Sequence, residues 1–225
     1  MTRTTSKGKC SFCGGVFGKA AIKRHLAGCP QRTALVVGDT TTSRRPLLQL
    51  QVEGRYLPMY WMHLEMPATI TLDRVDQFLR DQWLECCGHL SVFRINGTSY
   101  MDRVETIWDI GDHQMDGIPV TQVVQPEQKF YHEYDFGSPT ELTLRIVGEY
   151  SGPVSPEDIA ILAQNEPPDI ACDECGQPAT QLCTQCIGED TGRFCEQHAA
   201  DHACGEEMLL PVVNSPRCGV CGYEG

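Results

Sequence analysis

"LLQLQVEGRYLPMYWMHLEMPATITLDRVDQFL", residues 47–79, changes its hydrophobic period from two to 3.6, and that change sets the fold class. In its first third, Leu48, Leu50 and Val52 alternate with polar residues, the pattern of a half-buried strand. In its second, Tyr60, Met62 and Leu64 fall on one face of another strand. In its last, Leu72, Val75, Phe78 and Leu79, continued by Trp83, recur at helical spacing. Thr71 is placed to cap that helix, and Asp73 and Asp76 stand near the positive end of its dipole.

Working outward, "HLSVFRINGTSYM" (residues 89–101) reads as a strand followed by an Asn96-Gly97 hairpin turn. "FYHEYDFGSPTELTLRIVGEY" (residues 130–150) gives two strands joined at Gly137-Ser138-Pro139. The order strand, strand, helix, strand and then hairpin predicts an α+β domain, its mixed or antiparallel sheet packed against a helix. Its limits come from composition. "QRTALVVGDTTTSRRP" (residues 31–46) reads as a Thr-rich linker with a weak strand at Ala34–Val37, and Pro167-Pro168 break the chain on the far side. Three parts are therefore expected: a basic segment with its linker over 1–45, the α+β domain over 46–165, and a cysteine-rich module over 166–225.

Charge separates these parts as sharply as pattern does. The net charge of −12 conceals a first segment with nine lysines and arginines against Asp39 alone. The other two segments are strongly acidic, so only the first is suited to attract phosphate. No apolar run is long enough to span a membrane, and the start of the chain lacks the apolar region of a secretory signal. The thirteen cysteines stand mostly in C-x-x-C pairs near histidines, which reads as metal ligation in a reducing cytoplasm rather than as disulfides.

The central stretches "MYWMHLEMP", "TLDRVDQFL", "HLSVFRINGTSY" and "YDFGSPTEL" resemble the plasmid pRiA4b ORF-3-like family over roughly residues 46–150. Two departures stand out: Ser91 occupies the place of a second family histidine, and Ser138-Pro139 replaces an acidic-x-aromatic run. The resemblance implies a fold and a setting on plasmids and mobile elements, without a defined reaction.

At the N-terminal end, Cys10, Cys13, His25 and Cys29 form C-x2-C-x11-H-x3-C. A tetrahedral zinc ion takes four such nitrogen and sulfur donors. His25 and Cys29, four apart, share a face of a short helix, and Phe17 and Ile22 sit where a small apolar plug is needed. The pattern resembles a two-cysteine, two-histidine zinc finger with its last histidine replaced by cysteine. So short a segment has no core of its own, and metal binding worth on the order of 10 kcal/mol has to drive its folding. Lys19, Lys23 and Arg24 share the helix and present a cationic face, the expected contact to DNA or RNA.

The C-terminal end carries donors in pairs: Cys172 and Cys175, Cys183 and Cys186, Cys195 and His198, His202 and Cys204. The alternation is that of a cross-braced module and resembles a B-box-type zinc-binding domain and, more loosely, a MYND domain. On that pattern Cys172, Cys175, Cys195 and His198 take one ion, and Cys183, Cys186 and His202 take a second with one further donor. Cys204 is nearest but only two residues from His202, so Cys218 or Cys221 is an alternative. A rival partition groups His202, Cys204, Cys218 and Cys221. Three zinc ions are expected in all, one N-terminal and two C-terminal. Sites filled by four protein donors leave no place for a reacting water, which makes them structural.

Catalytic motifs for acyl transfer, nucleotide binding or zinc proteolysis are missing from the sequence. Cys86-Cys87 beside His89 reads as cysteines packed at a helix end, His113, His132 and Asp135 as hydrogen-bonded structural groups, and Asp109, Asp112 and Asp116 as a solvated loop. The expectation is a non-enzymatic cytoplasmic adaptor, its finger on nucleic acid and its acidic C-terminal module on a protein. The alternatives are a pure protein–protein scaffold and an enzyme activity in the central domain.

Overall fold

The computed structural model describes residues 6–38, 44–103, 112–153 and 158–225. The chain begins with a small hairpin, β1 (Lys7–Cys10) and β2 (Val16–Gly18), followed by helices α1 (Lys19–Gly28) and α2 (Pro30–Gly38). The centre supplies β3 (Arg44–Gly54), β4 (Trp61–Pro67), α3 (Leu72–Leu79), β5 (Ser91–Ile95), β6 (Thr98–Met101), β7 (Asp112–Gln114), α4 (Val120–Val123), β8 (Lys129–Tyr134), β9 (Thr140–Pro153) and β10 (Ala160–Asn165). The end adds β11 (Gln181–Cys183), β12 (Arg193–Phe194), α5 (Glu196–Ala200) and β13 (Leu209–Pro211).

Among the described residues, ten strands form one sheet in the order β2-β1-β10-β4-β3-β9-β8-β5-β6-β7, antiparallel except for the parallel pair β6–β7. This is an α+β architecture with a mixed sheet. Strands β11, β12 and β13 make a separate three-stranded sheet. The segments read from the sequence as finger and central domain share the large sheet, because β1 pairs with β10 through Gly8 and Asn165.

Alternation along β3 and β4 explains how both faces are covered. Leu48, Leu50, Val52, Met62 and Leu64 point to one face, where they pack with Leu72, Val75, Leu79 and Trp83 from α3 and its continuation. The opposite face of β4 presents Trp61, which packs with Ile22, Leu26 and Leu162 beneath the N-terminal helices. A strand buried on both sides carries a near-continuous apolar run, as "YWMHLEM" does. Trp61 lies directly over the backbone of β1. A β carbon on Gly8 would come within 2.4 Å of both the indole and the Gln164 carbonyl oxygen.

Several local expectations meet a different outcome. Ala34–Val37 lies inside α2, where Pro30 at the first helical position favours helix over strand. Thr71 occupies the position before α3, but its hydroxyl makes no capping bond. Asp76 is buried away from solvent, bonded to His132 and Arg80, so ion pairing rather than the helix dipole is its main partner. Beyond Leu79 the helix widens into a π-helical turn over Arg80–Leu84. The Asn96-Gly97 turn joins β5 to β6 with positive φ at both residues. The expected acidic loop is described only from Asp112, which opens β7, through Asp116; Asp109 and residues 39–43 of the linker lie outside the described residues.

Candidate metal centres

Each cysteine cluster is built from a tight turn plus a second element that closes over it. In the first, Cys10 ends β1 and Cys13 follows in a knuckle whose Gly14 adopts φ 70°. Helix α1 carries His25, and Cys29 follows at its end. Cys13 Sγ stands 3.3 Å from His25 Nε2, and the Phe17 ring stacks on the imidazole at 3.8 Å. Ile22 and Cys29 are fully buried against the face of Trp61.

The C-terminal module interleaves its donor pairs. Cys172 and Cys175 meet Cys195 and His198, with Cys172 Sγ and Cys195 Sγ at 3.4 and 3.3 Å from His198 Nδ1 and Cys175 at 3.9 Å from Cys195. Cys183 and Cys186 meet His202 and Cys204; Cys186 Sγ is 3.6 Å from His202 Nε2 and 3.7 Å from Cys204 Sγ. His202 reaches in with its far nitrogen, which is how a histidine and a cysteine only two residues apart serve one point. Of the alternatives open at the sequence level, Cys204 is the donor placed in this cluster. Cys218 instead accepts a bond from the Val213 amide at 3.2 Å.

A fourth group is absent from the sequence reading. Cys86, Cys87 and His89 stand with Cys221. Cys87 Sγ lies 3.4 Å from Cys86 Sγ and 3.8 Å from Cys221 Sγ, and His89 Nε2 lies 3.3 Å from Cys221 Sγ. Two signals pointed to it. "ECCGH" packs three donors around a glycine, and Cys221 belonged to a knuckle that had no settled partner.

In every group the donor atoms lie within 4.8 Å of one another. Atoms bound to a tetrahedral zinc at about 2.0–2.3 Å lie about 3.3–3.8 Å apart, so these spacings fit such an ion. All thirteen cysteines are free of disulfides, and twelve of them belong to the four groups. Without a cation such crowding is unfavourable. Bonds with Cys183 and Cys204 push the Cys186 thiol up to about 12. Cys183, despite burial that opposes ionisation, is drawn down to about 7 by the Cys186 amide and His202. The residues therefore fit zinc, each group offering three thiols and one imidazole.

The other candidate groups are dispersed. His132 Nε2–H donates to Asp76 Oδ1 at 2.6 Å in the core, while His113 stacks on Tyr100 at the sheet edge. Asp135 sits in the β8–β9 turn, where it accepts from Arg217 Nη2 at 2.7 Å. On the finger, Lys19 forms an ion pair with Glu53 and donates to the Pro58 carbonyl, and Lys23 Nζ lies 3.7 Å from Glu127. Arg24 is exposed. Among the described residues no helix is long and apolar enough to cross a membrane.

No protein-family model and no curated protein matches the chain. Among solved structures, the chain is similar to a protein of unknown function from Methanosarcina mazei Go1. The match has a TM-score of 0.47 and 14% identity, and covers 53% of this chain and 69% of that one.

Proposed function

We propose that the chain is a non-catalytic scaffold, organised at both ends by structural zinc, whose acidic surface engages a partner protein. The observation that carries this reading is the make-up of the donor groups. Each offers four protein donors, which fills a tetrahedral shell and leaves no position at which a substrate or water could be activated. The proposed sites are a finger at Cys10, Cys13, His25 and Cys29 and a cross-braced C-terminal module with two ions. The C-terminal 60 residues carry eleven acidic side chains against Arg193 and Arg217. Such a field repels nucleic acid and suits a basic protein surface.

Contact with DNA or RNA through the finger is the second reading, favoured by the exposed Lys7, Lys9 and Arg24. Against it, Lys19 is paired with Glu53, and Lys23 stands 3.7 Å from Glu127, within the chain. Membership of the central domain in the pRiA4b ORF-3-like family, and with it a mobile-element setting in the cytoplasm, is part of the proposal. Its support is the run of four motifs over β4, α3, β5–β6 and the β8–β9 hairpin.

The test is capture of partners by the full chain, with and without nuclease, beside a salt titration of its binding to generic duplex DNA. The scaffold reading expects a protein partner retained after nuclease and no salt-dependent duplex binding. Loss of all partners on nuclease treatment, with duplex affinity falling steeply with salt and weakened in Arg24→Glu, would establish the nucleic-acid reading instead.

A further inference from the structure

The tail that follows β13 does not hang free. Ser215 Oγ–H donates to the Trp83 carbonyl at 2.7 Å, and Arg217 is fully buried in the central domain. Its guanidinium reaches Asp135 and lies 4.8 Å over the Tyr134 ring. Two residues of positive φ, Gly219 at 80° and Cys221 at 51°, then turn the chain back. The turn delivers the Cys221 thiol to the Cys86-Cys87-Gly88-His89 corner, where Gly88 at φ 71° lets three donors converge within four residues. A cysteine in the left-handed region is uncommon and is held there only when surrounding structure requires it.

We propose that Cys86, Cys87, His89 and Cys221 form a fourth zinc site, a clasp that fastens the C-terminal tail to the central domain. Three observations support it together. The donor set repeats the three-thiol, one-imidazole make-up of the other groups. The spacings of 3.3, 3.4 and 3.8 Å match the edges of a zinc tetrahedron. The surroundings also suit the charge: three thiolates and one zinc carry a net −1, and Arg217 Nη2–H points at Cys86 Sγ from 3.3 Å. The same guanidinium bonds Asp135, so the anionic thiolate site, Arg217 and Asp135 form one alternating chain of charge. Cys218, three residues before Cys221, bonds back to its own segment and serves as an internal control.

The site joins donors 132 residues apart, unlike the others, each of which closes within a single end of the chain. It holds the tail by a link that metal supply controls, whereas burial of Arg217 alone would hold it unconditionally. The inference is independent of the scaffold reading, because a fourth ion would be bound whatever the partner.

Native mass spectrometry of the full chain, purified with zinc under reducing conditions, tests it. Four ions per chain are expected, falling to three in Cys221→Ser and remaining four in Cys218→Ser. Three ions in both wild type and Cys221→Ser would overturn the proposal, as would loss of an ion in Cys218→Ser. A wild-type mass 2 Da low with three zincs would also overturn it, because two of the thiols would then be held in a disulfide and not on an ion. Should the variant fail to fold, cobalt titration of the wild-type chain decides. Thiolate-to-cobalt charge-transfer absorbance rising to four equivalents supports the clasp, and saturation at three refutes it.

Discussion

Gly8 shows how one residue links the finger to the sheet. It stands on β1 opposite Asn165, and the Trp61 ring covers its backbone. Trp61 is held in place in turn: its indole N–H donates to Ser6 Oγ at 2.7 Å and its amide to Asn165 Oδ1 at 2.8 Å. The Gly8→Ala change drives a methyl against an indole and a carbonyl oxygen, neither of which can move aside. We expect a loss of about 1–3 kcal/mol in the urea-unfolding free energy, with zinc content unchanged. A midpoint equal to that of the wild type would mean that Trp61 does not lie over β1. Arg217 and Asp135 make a second such contact. Although burial would raise the Asp135 carboxyl, bonds from Arg217 and from the amides of Ser138 and Gly137 hold it below its ordinary value.

At the scale of elements, β4 is buried on both faces and carries His63, which is buried with its ring edge-on to Trp61. Burial, reinforced by the nearby charges of Lys23 and Lys19, lowers His63 to about 4. The unfolded chain then takes up a proton near pH 6.5 that the folded chain refuses until about pH 4. Stability is therefore unaffected above pH 6.5 and falls as pH drops towards 4, by up to about 1.4 kcal/mol per pH unit. His63→Leu removes this dependence. Urea midpoints at pH 7 and pH 5 should fall less in the variant than in the wild type, and zinc-ligand protonation, common to both, cancels in the comparison. Equal falls would show that His63 is not buried neutral. Helix α3 is clamped to the sheet differently, through Asp76, which His132 and Arg80 hold at about 2 against the burial that would raise it.

Across the whole molecule, organisation is divided between two physical causes. The central strands and α3 enclose an apolar cluster that includes Phe93, Phe130 and Trp83, a core of the size that orders a domain by burial. The buried cluster of the C-terminal module consists of Cys183, Phe194 and Ala199, with Leu182 and Leu210 buried nearby in sequence, too little to order a chain of that length. Treatment with a strong chelator should abolish amide protection across residues 172–210 while leaving β3, β4, β8 and β9 protected in hydrogen exchange. Full protection of the C-terminal module after zinc removal would show that its fold does not depend on metal.

Local chemistry was legible in the residue order wherever donors and periods repeat at short range. The strands at Leu48–Val52 and Tyr60–Leu64, the helix from Leu72 and the Asn96-Gly97 turn follow from period and turn chemistry. So does the gathering of Cys10 with His25 and of Cys172 with His198, since a C-x-x-C knuckle and a helix or turn a few residues on already face one point. Contacts between distant segments are not fixed by such spacing, even where, as at "ECCGH" and Cys221, the separate halves of a site can be read. The pairing of β1 with β10, the neutralisation of Lys19 by Glu53, the burial of Arg217 and the meeting of Cys221 with Cys86-Cys87 depend on where the chain returns after many residues. That return is set by which surfaces exclude water together, a property of the assembled core that no local spacing records.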